Sequence, residues 1–483
     1  MMHRRTGWGT GLVAAVVMAT TVVGCQDEAD PLAGPDPSGG YVSRPDLDAP
    51  EIEVETFGPP LRAAEDEMVF LAPKEGEPMT ELLIVDSDGE PVWIHPLGEA
   101  RSYDLRAQDY QGRPVLTWWR GEQLGLDYGA GEWVVMDDSY EEITTVTTRD
   151  TRPADFHSMT LTDDGTALLI SYPEVRRDLS SIGGPEDGHV LDGVVQEVDV
   201  ATGDVVFRWS ALDHIPLSET RIDVQTAEGQ EGGPDSPLDY VHLTSVAEDG
   251  NGSFLVSARN TSAIYRIDRR TGEVEWRLGG SNSDFAMGAG AAFAWQHDAQ
   301  RQADDTITVY DNQSTPPTDD QSRGLRLELD TDSMTADVVT EYLPPDGRLA
   351  ESHGNLQVLP DGNVLIGWGQ QPYYSEYTRN GRLVLDGTLS SGESDRAFRM
   401  PWAGFPTDPP DLVVEEGTAY VSWNGATEVV AWRFLAGTDA ASAEPVVTAR
   451  RTGFETSADM PDEPYIAVEA LDADGQVLAT AEA

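Results

Sequence analysis

Four of the eight histidines occupy equivalent positions in a repeated sequence pattern. His157, His242 and His297 each stand seven residues before the aspartate of a turn, and His353 stands eight residues before one. Imidazole rings gathered at one place can bind a metal, transfer protons or act as nucleophiles. The alternative is that each histidine only caps a turn of its own repeat. Because scattered histidines would not share a register, we predict that the four rings converge on one site.

The elements that must position these rings are short β-strands. From about residue 66, runs rich in Val, Ile, Leu, Thr, Tyr and Trp alternate with turns such as Asp249-Gly250 and Thr271-Gly272. Four strands per repeat, at a period of roughly 45–55 residues, are typical of a β-propeller blade. Six repeats start near residues 66, 104, 157, 242, 297 and 353. We therefore predict an all-β, six-bladed β-propeller over 51–405, with the histidines beginning the innermost strands.

The pattern changes after residue 405. Residues 406–483 contain further short apolar runs, including Thr418–Trp423 and Tyr465–Ala470. The last of these runs ends at a turn, Asp472–Gly475. These runs predict a small C-terminal β-sandwich of fibronectin type III character. Tryptophans at strand ends within the propeller are predicted to pack in the core between blades.

The first 25 residues are typical of an export signal. A short basic region precedes the apolar run Leu12–Val23, which ends at Gly24 and Cys25, the sole cysteine. This pattern resembles a bacterial lipobox, so we predict an exported protein that is lipid-anchored to a bacterial membrane through Cys25. The alternative is an ordinary secretory signal with an incidental cysteine. Residues 26–50 are rich in Asp, Pro and Gly and predict a flexible acidic tether.

The charge of the chain excludes some classes of partner. There are 86 acidic and 31 basic side chains, which gives a net charge of −55. Nucleic acid and anionic lipid surfaces both require a basic face, so neither is an expected partner of the folded part. Most of the acidic side chains are interpreted as solvated surface. No sequence feature bears on the oligomeric state.

The residue types near the histidines favour an anionic ligand over a metal. Arg259 would repel a cation, and no regularly spaced carboxylates accompany the histidines. An arginine beside imidazoles suits a sulfate or phosphate ester. We therefore predict no metal and no organic cofactor.

Several longer motifs resemble the bacterial arylsulfotransferase family, in a distant lipoprotein branch. They are Asp155-Phe156-His157, Tyr240–Ser245, Val256–Asn260, Trp295–Ala299, Tyr310-Asp311-Asn312, Gly354–Asn363 and Gly367-Trp368-Gly369. The resemblance covers roughly residues 45–400. It implies a six-bladed propeller with an active site at the channel mouth. It also implies transfer of a sulfuryl group from an aryl sulfate to a phenol through a sulfohistidine.

The same resemblance implies roles for individual residues. His297 matches the histidine that becomes sulfated, and Arg259 matches the arginine on the sulfuryl oxygens. His157 and His242 match the histidines around the donor, and we predict that His157 is the acid and base for the two phenols.

Three more residues are predicted to bind the substrate. Thr244 stands where the well-studied enzymes have an asparagine, and its hydroxyl could bond an ester oxygen. Asn260 follows the matched arginine, and His353 is added from the register alone. Two alternatives stay open: a surface platform that binds anionic ligands such as sulfated glycans without turnover, and hydrolysis of the sulfohistidine by water.

Overall fold

Strands rich in β-branched and aromatic residues form nearly all the regular structure of this protein, as predicted. The structure is a computed structural model that describes residues 40–58, 67–74, 81–98, 101–125, 127–313 and 320–483. The predicted signal peptide with Cys25, and residues 26–39 of the predicted tether, lie outside the described residues. Within the described residues no helix has the length and apolar character needed to cross a bilayer.

The described strands are, in chain order, β1 (Ile52–Thr56), β2 (Glu67–Lys74), β3 (Glu81–Val85), β4 (Pro91–Pro96), β5 (Arg101–Tyr110), β6 (Arg113–Leu124), β7 (Tyr128–Met136), β8 (Glu142–Val146), β9 (Met159–Leu161), β10 (Thr166–Ser171), β11 (Glu174–Arg177), β12 (Gly188–Leu191), β13 (Val194–Asp199), β14 (Val205–Ser210), β15 (Leu238–Asp239), β16 (Leu243–Glu248), β17 (Ser253–Ala258), β18 (Ala263–Asp268), β19 (Val274–Gly279), β20 (Ala286–Met287), β21 (His297–Arg301), β22 (Ile307–Asp311), β23 (Arg323–Asp330), β24 (Thr335–Tyr342), β25 (Asn355–Val358), β26 (Val364–Gly367), β27 (Tyr373–Tyr377), β28 (Leu383–Leu389), β29 (Glu393–Pro401), β30 (Asp411–Glu415), β31 (Thr418–Ser422), β32 (Ala431–Gly437), β33 (Glu444–Arg450), β34 (Glu455–Asp459), β35 (Tyr465–Leu471) and β36 (Val477–Glu482). The described helical segments are α1 (Ala211–His214) and the 3-10 turns Ser180–Ile182, Leu217–Glu219 and Arg259–Thr261.

Six sheets, antiparallel except for the β20–β24 pair, contain most of the described strands between Ile52 and Pro401. In order across each sheet they are sheet 1 (β29-β2-β3-β4), sheet 2 (β5-β6-β7-β8), sheet 3 (β9-β10-β13-β14), sheet 4 (β16-β17-β18-β19), sheet 5 (β21-β22-β23-β24-β20) and sheet 6 (β25-β26-β27-β28-β1). Strands β11, β12 and β15 form a small separate sheet within the insertions beside sheet 3.

The first strand of each sheet faces the first strands of its two neighbours. Contacts run from β29 to β5, β9, β16, β21, β25 and back to β29. The fourth strand of sheet 1 is β29, which pairs antiparallel with β2 although Glu393 follows Lys74 by 393 − 74 = 319 residues along the chain. This arrangement brings the starts of all six sheets to one region, where the histidines lie.

Local chemistry explains the predicted turns and core. Gly203 and Gly272 close two of the predicted turns, and their φ angles are +73° and +75°. The carboxylates of Asp199 and Asp268 stabilise these turns, because each accepts a backbone N–H, at 2.7 and 2.6 Å respectively. Between sheets 3 and 4, the buried Trp209 packs in a shared apolar cluster and donates its indole N–H across to the Gly272 carbonyl at 3.0 Å. The prediction that strand-end tryptophans pack in the core is confirmed here.

The last two sheets contain β30-β31-β34 and β33-β32-β35-β36. They share a cluster of buried apolar side chains that includes Val421, Trp432 and Phe434. Asn424 joins them to sheet 1, because its amide accepts the N–H of Ile94 at 2.9 Å and donates to the Ile94 carbonyl at 2.8 Å. This side chain therefore bonds both backbone polar groups of Ile94 at the outer edge of β4.

Part of the predicted tether is packed. Ser43 is buried, and its N–H and hydroxyl both donate to Glu455 at 2.5 Å. Leu47 lies in an apolar cluster with residues of sheets 1 and 6. Ordered packing of the described chain therefore begins before residue 51, the boundary that the sequence predicted.

Candidate active site

The four histidines of the shared register converge. His297 is the first residue of β21 in sheet 5, and His242 immediately precedes β16 in sheet 4. His157 lies two residues before β9 in sheet 3, and His353 lies two residues before β25 in sheet 6. The ring centroid of His157 lies 4.7 Å from that of His242 and 5.9 Å from those of both His297 and His353. All four side chains are buried. The predicted convergence of the four histidine rings is confirmed.

His157 and His242 are each oriented by a nearby carboxylate. Nδ1 of His157 lies 2.6 Å from Asp155, two residues earlier in the chain. Nδ1 of His242 bonds Asp239, three residues earlier. Each carboxylate also accepts the backbone N–H of its own histidine, at 2.8 and 3.0 Å. Both rings therefore donate an Nδ1 proton to a carboxylate and turn Nε2 toward the cluster.

His297 is oriented by an amide instead. Its Nδ1 lies 2.7 Å from Oδ1 of Asn312, while Nδ2 of Asn312 donates to the carbonyls of Ala350 and His353 at 3.1 and 3.0 Å. Since the amide nitrogen is used in this way, the amide oxygen must face the ring and His297 must be protonated on Nδ1. Its Nε2 carries a lone pair and accepts the backbone N–H of His353 at 3.2 Å.

Burial keeps the rings of His242, His297 and His353 neutral. It lowers the pKa of His297 well below that of an ordinary histidine, and nearby His157 and Arg259 lower it further. Burial also lowers the pKa values of His242 and His353, against the opposing attraction of Asp239 and Asp127 respectively. Neutral imidazole is the form that can act as a nucleophile or a ligand.

Arg259 reaches the cluster from the 3-10 turn that follows β17. Its Nη1 contacts the carboxylate of Asp127 and lies 3.2 Å from the Ser352 hydroxyl, and its Nε donates to Oδ1 of Asn260 at 3.1 Å. Burial alone would raise the pKa of Asp127, but His353 and Arg259 hold it well below its ordinary value. Asp127 is therefore an ionised carboxylate inside the cluster.

Aromatic side chains surround the histidines. Phe156 stacks on His157 with centroids 4.5 Å apart and on Tyr103 at 4.1 Å. Tyr172 stacks on His242 at 5.8 Å. These rings give the cluster an apolar wall of a kind that suits an aryl group.

A family model described as arylsulfotransferase (ASST) matches residues 106–390, which is more than half of the chain and contains all four histidines. The chain belongs to the arylsulfotransferase family. Membership suggests transfer of a sulfuryl group from aryl sulfates. No curated protein matches the chain.

The solved structures that resemble this family member share little sequence with it. A protein of unknown function from Bacteroides caccae is 12% identical, with a TM-score of 0.44 over 69% of this chain and 99% of that one. An inactive virginiamycin B lyase from Staphylococcus aureus is 10% identical, with a TM-score of 0.36 over 78% and 97%. The β-propeller domain of Cps50 (Swd1) from Myceliophteria thermophila is 11% identical, with a TM-score of 0.34 over 68% and 97%. Such low similarities say nothing about function.

Two residues predicted to bind substrate have other partners in this arylsulfotransferase-family protein. The hydroxyl of Thr244 is fully buried and lies 3.0 Å from both the Gln296 carbonyl and the Ser257 hydroxyl. The amide of Asn260 is also buried and donates to the Asp239 carbonyl at 2.6 Å. Both side chains therefore hold neighbours of the site in place, and their contact with substrate stays a prediction.

Two charged residues that the sequence analysis missed complete the surroundings. Asp127 is carried by the connection between β6 and β7, outside the repeat register. Arg396 lies buried on β29 and donates to the carbonyls of His157 and Thr244 at 2.7 and 3.1 Å. Asp104, which shares the register of the histidines, lies 3.7 Å from Arg396.

Proposed function

We propose that this protein is a sulfotransferase that moves a sulfuryl group from an aryl sulfate to a phenol through a sulfohistidine at His297. The observation that carries the proposal is the state of His297, a buried neutral ring with its proton fixed on Nδ1 by Asn312 and its lone pair on Nε2. Family membership and the aromatic wall support the same substrate class.

The scaffold in this proposal is a six-bladed β-propeller with a small C-terminal β-sandwich. The closed series of contacts between the first strands of sheets 1 to 6 supports the propeller. The shared apolar cluster of the last two sheets supports the sandwich. Under this proposal the histidines lie at the centre of the ring.

In the first step, Nε2 of His297 attacks sulfur, and the N–S bond forms as the bond from sulfur to the aryl oxygen breaks. The electron pair of that bond leaves with the phenolate, which takes the Nε2 proton of His157 in its imidazolium form, while the Nδ1–H of that ring stays bonded to Asp155. In the second step, the oxygen of the acceptor phenol attacks sulfur, its proton passes to His157, and the N–S electrons return to Nε2. Arg259 offsets the charge on the sulfuryl oxygens. The N–H of His353 must leave Nε2 before attack.

The test is intact mass after brief incubation of the purified protein with a chromogenic aryl sulfate. We expect a gain of one sulfuryl group that is absent in His297→Ala and present in His189→Ala, a control on β12 whose ring pairs with Glu174. Release of the group should be accelerated by added phenol and should yield an aryl sulfate. A label retained in His297→Ala would contradict the proposal.

The same incubation separates the two alternatives. Release that is insensitive to phenol and yields inorganic sulfate would favour hydrolysis. Binding of a sulfated glycan with no label and no released phenol from any donor would favour a binding platform.

For location, we propose export and lipid anchoring at Cys25, on the basis of the lipobox-like sequence. Expression with labelled palmitate in a bacterial host should label the protein and place it in the membrane fraction. Cys25→Ser should remove the label, and a labelled variant would contradict the proposal.

A further inference from the structure

A carboxylate of the protein itself lies where the proposed mechanism needs the sulfuryl oxygens of the donor. Oδ2 of Asp127 accepts hydrogen bonds from Nη1 of Arg259 and from the hydroxyl of Ser352. Oδ1 of the same carboxylate lies 3.1 Å from Nε2 of His353. A guanidinium, a hydroxyl and a ring nitrogen that converge on two oxygens form a pocket for an oxyanion. In this structure the oxyanion in the pocket is Asp127.

Asp127 and a sulfuryl group need the same donors. Both groups present negatively charged oxygens, and arginine binds either of them with charge-assisted hydrogen bonds. Two like charges side by side in a buried site repel each other strongly. Since the proposed mechanism places Arg259 on the sulfuryl oxygens, Asp127 has to give up this arginine before the donor can use it.

A long hairpin brings Asp127 to the centre of the sheets. Its strands β6 and β7 contain 12 and 9 residues, whereas the corresponding strands β17 and β18 of sheet 4 contain 6 residues each. Asp127 immediately precedes β7, on the connection between the two long strands. The hairpin belongs to sheet 2, yet its carboxylate bonds Arg259 after β17 of sheet 4 and the residues just before β25 of sheet 6.

Close packing keeps the start of β7 against the histidine cluster. The backbone N–H of Gly129 donates to Asp155 at 2.7 Å, the carboxylate that also bonds the ring of His157. A Cβ at Gly129 would stand 2.7 Å from the ring of Phe156 and 2.9 Å from that of Trp119. Only glycine permits this approach, which holds the chain beside the cluster two residues after Asp127.

The residues that bond Asp127 also cap the proposed nucleophile. The ring of His353 bonds Asp127, and the backbone N–H of His353 donates to Nε2 of His297 at 3.2 Å. The adjacent residue, Ser352, bonds Asp127 through its hydroxyl. Both requirements of attack are therefore blocked in this structure, because the oxyanion pocket is filled and the lone pair of His297 is engaged. Displacement of Asp127 would remove two contacts that hold the capping segment in place.

We propose that Asp127 is an internal competitor of the donor, whose carboxylate fills the sulfuryl pocket of the resting protein until an aryl sulfate displaces it. This inference rests on the proposed function, because it assigns Arg259 to the sulfuryl oxygens. Burial of the aryl group supplies binding free energy that offsets the lost contacts of Asp127. Asp127 therefore sets the affinity for the donor and keeps the nucleophile capped when no donor is bound.

Competition of this kind lowers the apparent affinity in proportion to the fraction of molecules whose pocket is open. An open fraction of about 1–10% weakens donor binding by about 100-fold to 10-fold. Removal of the carboxylate should therefore tighten binding. The expected direction is distinctive, since loss of a residue that contacts the donor, or that only supports the fold, would weaken binding or leave it unchanged.

The test is calorimetric titration of the purified full-length protein with 4-nitrobenzenesulfonate, an aryl sulfonate that cannot release a phenolate. Asp127→Asn and Asp127→Ala should bind it about 10–100-fold more tightly than the wild type. The matched control is Asp386→Asn in sheet 6. Asp386 is as exposed as Asp127, at 9%, and it also bonds an arginine and a serine hydroxyl, those of Arg348 and Ser375. This variant should bind the sulfonate as the wild type does.

The proposal is overturned if Asp127→Asn binds the sulfonate no more tightly than Asp386→Asn, or if none of these proteins binds it. Asp127→Asn keeps the shape of the side chain, so it decides the test if Asp127→Ala fails to fold. The titration is repeated in His297→Ala, where Asp127→Asn should give the same gain. A gain there without any sulfuryl label in the wild type would contradict the proposed function alone. Normal labelling without the gain would overturn this inference alone.

Discussion

The amide of Asn312 presents its oxygen to Nδ1 of His297 at 2.7 Å, and it has no freedom to turn, because its nitrogen donates to two backbone carbonyls. This one contact fixes the tautomer of the proposed nucleophile. An aspartate at the same place would favour the charged imidazolium, whereas the neutral amide keeps the Nε2 lone pair available.

Replacing Asn312 with alanine should therefore slow sulfuryl uptake more than it destabilises the protein. The Asn312→Ala variant leaves two buried carbonyls and the Nδ1 proton unsatisfied, which should cost about 1–3 kcal/mol of unfolding free energy. The rate of label formation should fall tenfold or more because the reactive tautomer is no longer fixed. Urea unfolding and timed intact mass measure the two effects.

Asn363→Ala is the matched control, because that amide only bonds Glu376 at 2.8 Å within sheet 6. It should lose some stability and keep its labelling rate. Equal labelling rates in the two variants would show that Asn312 does not orient the nucleophile.

The sequence predicted the site residues that recur at one position of the repeated strand pattern and missed those that do not. His157, His242, His297 and His353 recur at one register of a repeating strand pattern, and their convergence follows from that pattern. Asp127 lies on the connection between the second and third strands of sheet 2, where sheet 4 carries Arg259, and this connection is outside the register that the histidines share, so the repeat spacing did not reveal it. Thr244 is on the predicted strand, but its hydroxyl direction depends on Gln296 and Ser257 in three dimensions.

Asp104 should make the stability of the protein fall as pH rises. The carboxyl is completely buried without a hydrogen-bond partner among the described residues, and burial raises its pKa to about 6, against the attraction of Arg106 and Arg396. The ordinary pKa of this carboxyl is 3.8. Between that pH and about pH 6, the folded protein therefore holds the proton more tightly than the unfolded chain does. Its contribution is therefore full below about pH 4 and is lost, by up to about 3 kcal/mol, above pH 6.

The measurement is chemical unfolding of the wild type and Asp104→Asn at pH 4 and pH 7. Other titrating groups cancel in the difference between the two proteins. The asparagine variant should gain stability relative to the wild type at the higher pH. A difference that does not change with pH would mean that Asp104 titrates normally.

Arg396 should be among the most sensitive positions of the fold. It bonds two carbonyls and lies near Asp104 and Asp298 at 3.7 and 4.0 Å. Arg396→Met would leave these carboxylates uncompensated and should cost about 3–5 kcal/mol. The exposed Arg379, which pairs with Asp304, is the control, and Arg379→Met should cost at most about 1 kcal/mol. Similar losses in urea unfolding would rule out the proposed central role of Arg396.

Arg259 should stabilise the transition state of sulfuryl uptake. Its side chain is mostly buried, and its Nη1 reaches Asp127 and Ser352 beside the histidines. Loss of such a donor to developing negative charge typically slows a reaction by about a hundredfold or more. The rate of label formation from an aryl sulfate should therefore fall by about a hundredfold or more in Arg259→Met. Arg259→Lys should recover only part of it, because an ammonium keeps the charge without the planar fork.

The control for Arg259 is Arg208→Met, since Arg208 forms a surface pair with Asp150 at 2.8 Å. It should label at the wild-type rate. The comparison is made with saturating donor and at several donor concentrations, which separates weaker binding from slower chemistry. If Arg259→Met changed only the concentration dependence and reached the wild-type rate at saturation, Arg259 would bind the donor without stabilising the transition state.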